Sequence, residues 1–435
     1  MRLIYISLII LLWSKSYSKD LEPQSFVLPN GIKVVLIENN RAPVVTQMAW
    51  YNVGSIDEPY GKSGIAHFLE HLMFKGTKKY KNNFFSNFIS KNGGSENAFT
   101  SFDYTAYYQT VPSEFLEDII KMEADRMKNL LLTNNQVQTE KKVILEERYQ
   151  RIDSDSSSLL DESMQKVLFP NSTYGTPIIG WKHEIDTLSF DDVKQFYKTF
   201  YQPENLILVY SGNIDKKKLM KLTRKYFGKI YNLSRKNHRL NLVDPELKTN
   251  IRVELIDKES KQRIWKRFYK TYSYVDSVKK GIALDLGLKI LAGGTTSILY
   301  DELVKKKKVV SAIGGYYNGL TRGDGVIYFY AVPNEKINLL DLEVMIDENI
   351  KDAINKKITK EMFLIEKKKY FYDSIYLMDS ISQPAQIVGE ALSVGLELSE
   401  IKNWNNYLEE ITFEEVKKEL NNFKYNKSFV TGILK

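Results

Sequence analysis

The sequence predicts an α+β protein of two tandem homologous domains, each a mostly antiparallel β-sheet with helices packed on one face. Three observations carry this. First, Ser189-Phe190-Asp191-Asp192-Val193-Lys194 resembles Thr412-Phe413-Glu414-Glu415-Val416-Lys417. Both read as capping boxes, a hydroxyl N-cap with an acid three residues later, and each opens a helix. Second, each helix is followed by a short apolar strand ending near glycine, Asn205 to Gly212 and Ser428 to Gly432. Third, Val34 to Tyr51 and Val253 to Tyr272 share the layout strand, polar turn, strand. Matching elements in the same order point to duplication, and helices interspersed with strands in this way fit antiparallel sheets with a helical layer.

Taken in order, residues 1–18 read as a secretory signal. Arg2 gives a positive start, Leu3 to Trp13 is an apolar run broken only by Ser7, and Ser16 and Ser18 offer small residues for cleavage. As a helix that run spans about 16 Å, short of the roughly 30 Å hydrocarbon core, so cleavage is expected rather than anchoring. The first domain is expected over 19–234, a polar linker with Pro245 over 235–250, and the second domain over 251–435. An exported, periplasmic bacterial protein with no membrane attachment after cleavage is the expectation.

The 435 residues are 43% hydrophobic and 27% charged, which excludes a disordered or fibrous chain. The net charge of +8 is a modest basic excess. Aromatic and basic residues are not interleaved as on nucleic-acid platforms, so no nucleic-acid partner is expected. There is no cysteine, which excludes disulfides, cysteine nucleophiles and cysteine-based zinc fingers. Any metal site must use carboxylates and the four histidines, His67, His71, His183 and His238.

His67-Phe68-Leu69-Glu70-His71 carries the chemistry. On a helix His67 and His71 lie about 40° apart, so both rings can converge on one ion. Glu70, one residue offset, can reach a water without being a ligand. This is the inverted zincin order H-x-x-E-H. Zinc in such a site takes three protein ligands and keeps a fourth position open, and Glu70 takes the proton from water. The third ligand should be a carboxylate on another helix, and the segment Glu140 to Arg151 offers it. Glu140 and Glu147 are seven apart and point the same way. Glu147 is the candidate ligand with Glu140 behind it, and Glu146 competes on helix geometry.

Val53 to Thr77 (VGSIDEPYGKSGIAHFLEHLMFKGT) resembles the active-site stretch of the insulinase/pitrilysin zinc metallopeptidases, and most resembles the branch of the mitochondrial processing peptidase and its bacterial relatives. The pattern continues in Asn97-Ala98-Phe99-Thr100, Thr105, Tyr107-Tyr108, and Glu140 followed by Glu147. The resemblance implies one zinc ion per chain held by His67, His71 and Glu147, with Glu147 preferred over Glu146. It implies Glu70 as general base and Glu140 as supporting acid. It implies Asn97, Ala98, Phe99 and Thr100 as an edge strand to which a peptide substrate adds through main-chain hydrogen bonds.

One stretch departs from that family. Self-sufficient members carry an Arg and, seven residues later, a Tyr in the second half; the matching positions here read Val304 and Ser311. Neither side chain can do that work, and losing one oxyanion donor costs about 2.7–4 kcal/mol. The expectation is a catalytic subunit of a heterodimer, whose homologous partner supplies the Arg and Tyr and closes a chamber around short or unfolded peptides. The competing alignment gives those roles to Arg322 or to Tyr316 and Tyr317. The alternative function is a non-catalytic assembly or scaffold subunit, which need not bind zinc. Arg322-Gly323-Asp324 beside Gly325 is expected to be a hairpin turn. Lys305 to Lys308 should be a solvated helix end, and His183 and His238 surface residues.

Overall fold

The computed structural model describes residues 22–81, 83–232, 239, 243–260, 262–424 and 428–435. The expected signal segment 1–18, His238 and much of the expected linker lie outside the described residues. Strands β1 (Gln24–Val27), β2 (Lys33–Glu38), β3 (Val44–Tyr51), β4 (Ser95–Thr100), β5 (Thr105–Pro112) and β6 (Leu206–Gly212) form one sheet in the order β1-β2-β6-β3-β5-β4. Strands β7 (Ile251–Leu255), β8 (Ile264–Thr271), β9 (Val310–Asn318), β10 (Gly325–Pro333) and β11 (Val430–Leu434) form the second, in the order β7-β11-β8-β10-β9. With β1 set aside, the two orders superpose strand for strand. Each sheet is antiparallel except at one pair, β2 with β6 and β7 with β11. The last strand begins two residues beyond Ser428 and runs past Gly432.

Both capping boxes form. Ser189 Oγ accepts from Asp192 N at 3.2 Å while Asp192 Oδ2 accepts from Ser189 N at 2.9 Å. Thr412 Oγ1 and Glu415 repeat the exchange at 3.2 and 2.7 Å. The helices they open, Phe190–Phe200 and Phe413–Lys424, pack Val193 and Phe196 on the first sheet and Val416 and Leu420 on the second. Ile65–Leu72, Leu116–Asn129 and Lys216–Tyr226 complete the first layer; Val278–Ala292 and Leu339–Asp352 complete the second.

The opposite face of each sheet is covered as well, by a helix lent from the other half. Gln383–Val394, from the second half, lies across β3 and β6 of the first sheet. Ser156–Leu168, from the first half, lies across β7, β8 and β11 of the second. Alternation of side chains explains why both faces are apolar. On β2 and β3, Val34, Leu36, Val45 and Ala49 enter the first core, while Val35, Ile37, Met48 and Trp50 join the lent helix. Such strands read as near-continuous apolar runs because both faces are buried.

Glycine makes both crossings close enough to pack. A Cβ on Gly389 of the first lent helix would sit 2.0 Å from Trp50 Nε1, and one on Gly432 of β11 would sit 2.0 Å from Met164 Sδ. The Arg322-Gly323-Asp324 turn joins β9 to β10, as expected, and clasps the halves together. Arg322 N donates to Asp103 Oδ2 at 3.2 Å, Gly323 N donates to Tyr174 Oη at 3.0 Å, and Tyr174 Oη is 2.9 Å from both Asp103 oxygens. Asp324 pairs with Lys270 at 3.1 Å.

Overpacking at such crossings costs about 1–3 kcal/mol. Gly432→Ala should lower stability by that amount in urea titration. Gly389→Ala gains about 1 kcal/mol of helix propensity, so a net loss there measures the clash with Trp50 directly. Wild-type midpoints in both variants would show that neither crossing is tight.

Candidate metal centre

The motif helix Ile65–Leu72 starts from Gly64, whose φ of +84° suits glycine. Gly180, at φ +91°, lies against it: a Cβ on Gly64 would be 2.4 Å from Ile179 O, and one on Gly180 2.6 Å from Ser63 O. The helix has no side-chain cap from its own N-cap residue. Buried Glu58 supplies it instead, accepting from Gly64 N and Ala66 N at 2.9 Å each. An anion there satisfies orphan N–H groups and meets the positive end of the helix dipole. Burial pushes Glu58 above the usual carboxylate range, against the pull of those two bonds.

Phe68, Leu69 and Leu72 anchor this helix in the first core, which turns His67, Glu70 and His71 toward the helix Asn134–Arg148. The two imidazoles stand 4.7 Å apart. Glu147 Oε2 is 3.3 Å from His71 Nε2 and 3.6 Å from His67 Nε2. Glu146 is exposed and accepts from Gln150 Nε2 at 2.8 Å, away from the cluster. Behind His71, Glu140 Oε1 is 2.9 Å from Nδ1, and Glu140 Oε2 meets Lys75 Nζ at 2.5 Å. This carboxylate fixes the ring and leaves Nε2 free for a ligand bond. His67 Nδ1 is buried without a partner among the described residues.

Charge is uneven across the two rings, and a metal taken up at His71 Nε2 would displace its proton. Burial, then the neighbouring His71, pushes His67 down to about 4, so its ring is neutral. Burial also opposes charge on His71, but the bonds to Glu140 and Glu147 outweigh it and lift the group to about 9. Glu147 is held below its usual range, first by the His71 bond. Burial lifts Glu70, and the Thr100 hydroxyl, which donates to Glu70 Oε2 at 2.6 Å, opposes that shift.

The donor set fits zinc. His67, His71 and Glu147 each offer one ligand atom, all within 4.8 Å of one another. Bonds of about 2.0–2.1 Å in a tetrahedron put ligand atoms about 3.3 Å apart, close to the two distances measured to Glu147. Nitrogen and carboxylate donors without thiolate suit this ion.

The cluster opens on a cleft of about 1010 Å³ between the halves. Asn97, Ala98, Phe99 and Thr100 line it on β4, which is the edge of the first sheet and pairs with β5 alone among the described strands. Phe99 packs edge-on against Trp50 and Tyr104, and Asn97 Oδ1 accepts from Ala98 N at 2.9 Å. The far wall comes from the second sheet, with Lys266, Tyr316, Tyr328 and Tyr330. Val304 and Ser311 do not line the cleft: Val304 packs against the second core, and Ser311 Oγ donates to Val332 O at 3.3 Å. Of the alternatives, Arg322 sits in the inter-domain clasp, Tyr317 donates to Tyr272 O at 2.8 Å, and Tyr316 alone reaches the cleft. His183 is exposed, and the lysines 305–308 lie on the surface at the end of their helix.

Sequence reasoning missed Glu58, Lys75 and the Thr100–Glu70 bond. Lys75 had a signal, four residues beyond His71 on the same face. Glu58 had one in being an acid just ahead of a helix start. Nothing local ties Thr100 to Glu70, since the bond needs β4 folded beside the motif helix.

Two histidines and a carboxylate gathered beside a second acid, over a cleft bordered by a strand edge unpaired among the described residues, define the class of metal-dependent peptidases. The sequence matches the profile described as Insulinase (Peptidase family M16) over residues 33–181 and that of the Peptidase M16 inactive domain over residues 187–370. The zinc protease PqqE of Helicobacter pylori is 31% identical over 326 residues, covering 74% of this chain and 73% of that protein. The crystal structure of a protease from Helicobacter pylori is similar at a TM-score of 0.90 and 27% identity, covering 95% of this chain and 99% of that one. The periplasmic protease PqqL of Escherichia coli shares the fold at a TM-score of 0.77 and 17% identity, with 96% of this chain matching 48% of that one. The chain belongs to the insulinase family of zinc metallopeptidases, peptidase family M16.

Removing the Glu58 carboxylate leaves buried N–H groups unmet, each costing about 1–3 kcal/mol. Glu58→Ala should therefore lower the melting temperature and weaken zinc binding together, whereas Glu58→Gln, which keeps an acceptor, should do less. Unchanged zinc affinity in Glu58→Ala would show that the cap does not position the histidines.

Proposed function

We propose that this chain is a zinc-dependent endopeptidase of the inverted zincin type, acting on short or unfolded peptides. The observation that carries the reading is the convergence of His67, His71 and Glu147 within 4.8 Å beside Glu70. Zinc held there supplies Lewis-acid polarisation of a carbonyl and acidifies water. Thr100 holds Glu70 Oε2, which leaves Oε1 to take a proton from the attacking water. Glu70 then returns that proton to the leaving amine nitrogen as the C–N bond breaks. Glu140 keeps His71 in one tautomer and orientation.

Peptide enters as an added strand on the open edge of β4, alongside Asn97, Ala98, Phe99 and Thr100. Main-chain pairing of this kind selects extended, unstructured segments and is tolerant of sequence. Supporting this, β4 is an edge strand and runs past Glu70.

The chain acts as the catalytic subunit of a heterodimer. Val304 and Ser311 offer no donor to the cleft, and PqqL contains a similar fold within about half of a longer chain. A homologous partner supplies the second half-shell with an Arg and a Tyr. Export to the periplasm is the matching location: the N-terminal apolar run reads as a signal, PqqL is described as periplasmic, and no helix among the described residues is long and apolar enough to cross a membrane.

Purified residues 19–435 should bind one zinc per chain. They should cleave an unstructured peptide pool only when joined by the partner, and Glu70→Gln should abolish that cleavage while retaining the metal. A protein that never takes up zinc would sink the enzyme reading in favour of a scaffold. Full cleavage by the homogeneous chain would remove the heterodimer. For the edge strand, a substrate with N-methylated backbone amides should bind at least tenfold more weakly than its parent; equal binding would mean that pairing to β4 is not how peptides dock.

A further inference from the structure

Glu147 faces two ways. Its Oε2 lies toward both histidine Nε2 atoms, at 3.3 and 3.6 Å, while its Oε1 lies 3.0 Å from a terminal guanidinium nitrogen of Arg151. The two carboxylates of this segment are sorted by partners four residues on. Gln150 holds Glu146 outward, and Arg151 holds Glu147 at the cluster. Acid before base at this spacing is the favoured order on a helix. Arg151 lines the cleft and is largely exposed, whereas its neighbour Arg148 is committed to Glu162, Asp153 and Gly180 O.

A carboxylate can give a metal one oxygen or two. A second oxygen from Glu147, added to the two imidazoles, the first carboxylate oxygen and a bound water, would raise the coordination number from four to five and crowd the position that hydrolysis uses. We propose that Arg151 is a positioning residue that engages Glu147 Oε1 and so keeps Glu147 a one-oxygen ligand. This rests on Glu147 being a ligand, as argued above. The guanidinium suits the task, being always charged and able to form a strong charge-assisted bond to a carboxylate oxygen. Its positive charge also repels the ion. Affinity alone therefore does not diagnose the role, and coordination number does.

The test loads the full chain with cobalt(II) in place of zinc and reads visible absorption, which is intense for four-coordinate and weak for five-coordinate cobalt. Wild type should show the intense band. Arg151→Ala should bind cobalt and lose that intensity, and Arg151→Lys should retain most of it. An unchanged band in Arg151→Ala, a weak band in wild type, or loss of cobalt binding in Arg151→Ala would each overturn the assignment. Glu147→Gln separates the two claims: wild-type cobalt binding in that variant removes Glu147 as a ligand, whereas impaired binding there with an unchanged Arg151→Ala band refutes the role of Arg151 alone.

Discussion

The structure depends on the exchange of helices between its halves. Each sheet is apolar on both faces, and one face of each is covered by a helix from the other half. Ser156–Leu168 buries Leu160, Met164 and Leu168 on the second sheet, and Gln383–Val394 buries Ala385 and Val388 on the first. A fully buried side chain of the larger kind contributes on the order of 1.5–3 kcal/mol, so the exchange outweighs any single polar contact between the halves. It also sets their separation. The lent helix Ser156–Leu168 follows the helix that carries Glu147 by one short turn, so the packing that joins the halves also places the second sheet opposite the candidate metal cluster.

The site itself is a problem in buried charge. Glu58, Glu70 and Glu140 are all buried, which is costly for carboxylates unless each has partners. Glu58 finds the N-terminus of the motif helix, Glu140 finds Lys75 and His71, and Glu70 finds, among the described residues, the Thr100 hydroxyl alone. Of the two that border the histidines, Glu140 has cationic partners bonded to it and Glu70, the one assigned to proton transfer, has none among the described residues. An intermediate environment of this kind brings a carboxyl toward the pH at which it works.

Much of the site was legible because its parts are local. The histidine pair and Glu70 sit on one helix of eight residues, and helix geometry alone brings them to one side. The carboxylate helix was legible as an element, yet Glu146 and Glu147 differ only in direction, and the burial of Ile144 and Arg148 beneath that helix decides which faces the histidines. The duplication was likewise legible, because the capping boxes and period-2 runs recur in both halves. The reciprocal helices were not. Nothing local in Ser156–Leu168 or Gln383–Val394 says that their apolar faces belong to the other sheet.

The sequence by itself determined the duplicated α+β plan and the histidine pair, which rest on short-range spacing and on the periodicity of apolar residues, while the family and the preference for Glu147 came from the resemblance of its motifs to known ones. Tertiary structure alone decided the cleft, the Thr100–Glu70 bond, the cap from Glu58 and the docking of the Arg322-Gly323-Asp324 turn on Asp103 and Tyr174. Each of these joins residues from separate elements. Such contacts are chosen by how whole surfaces pack, which local spacing does not encode.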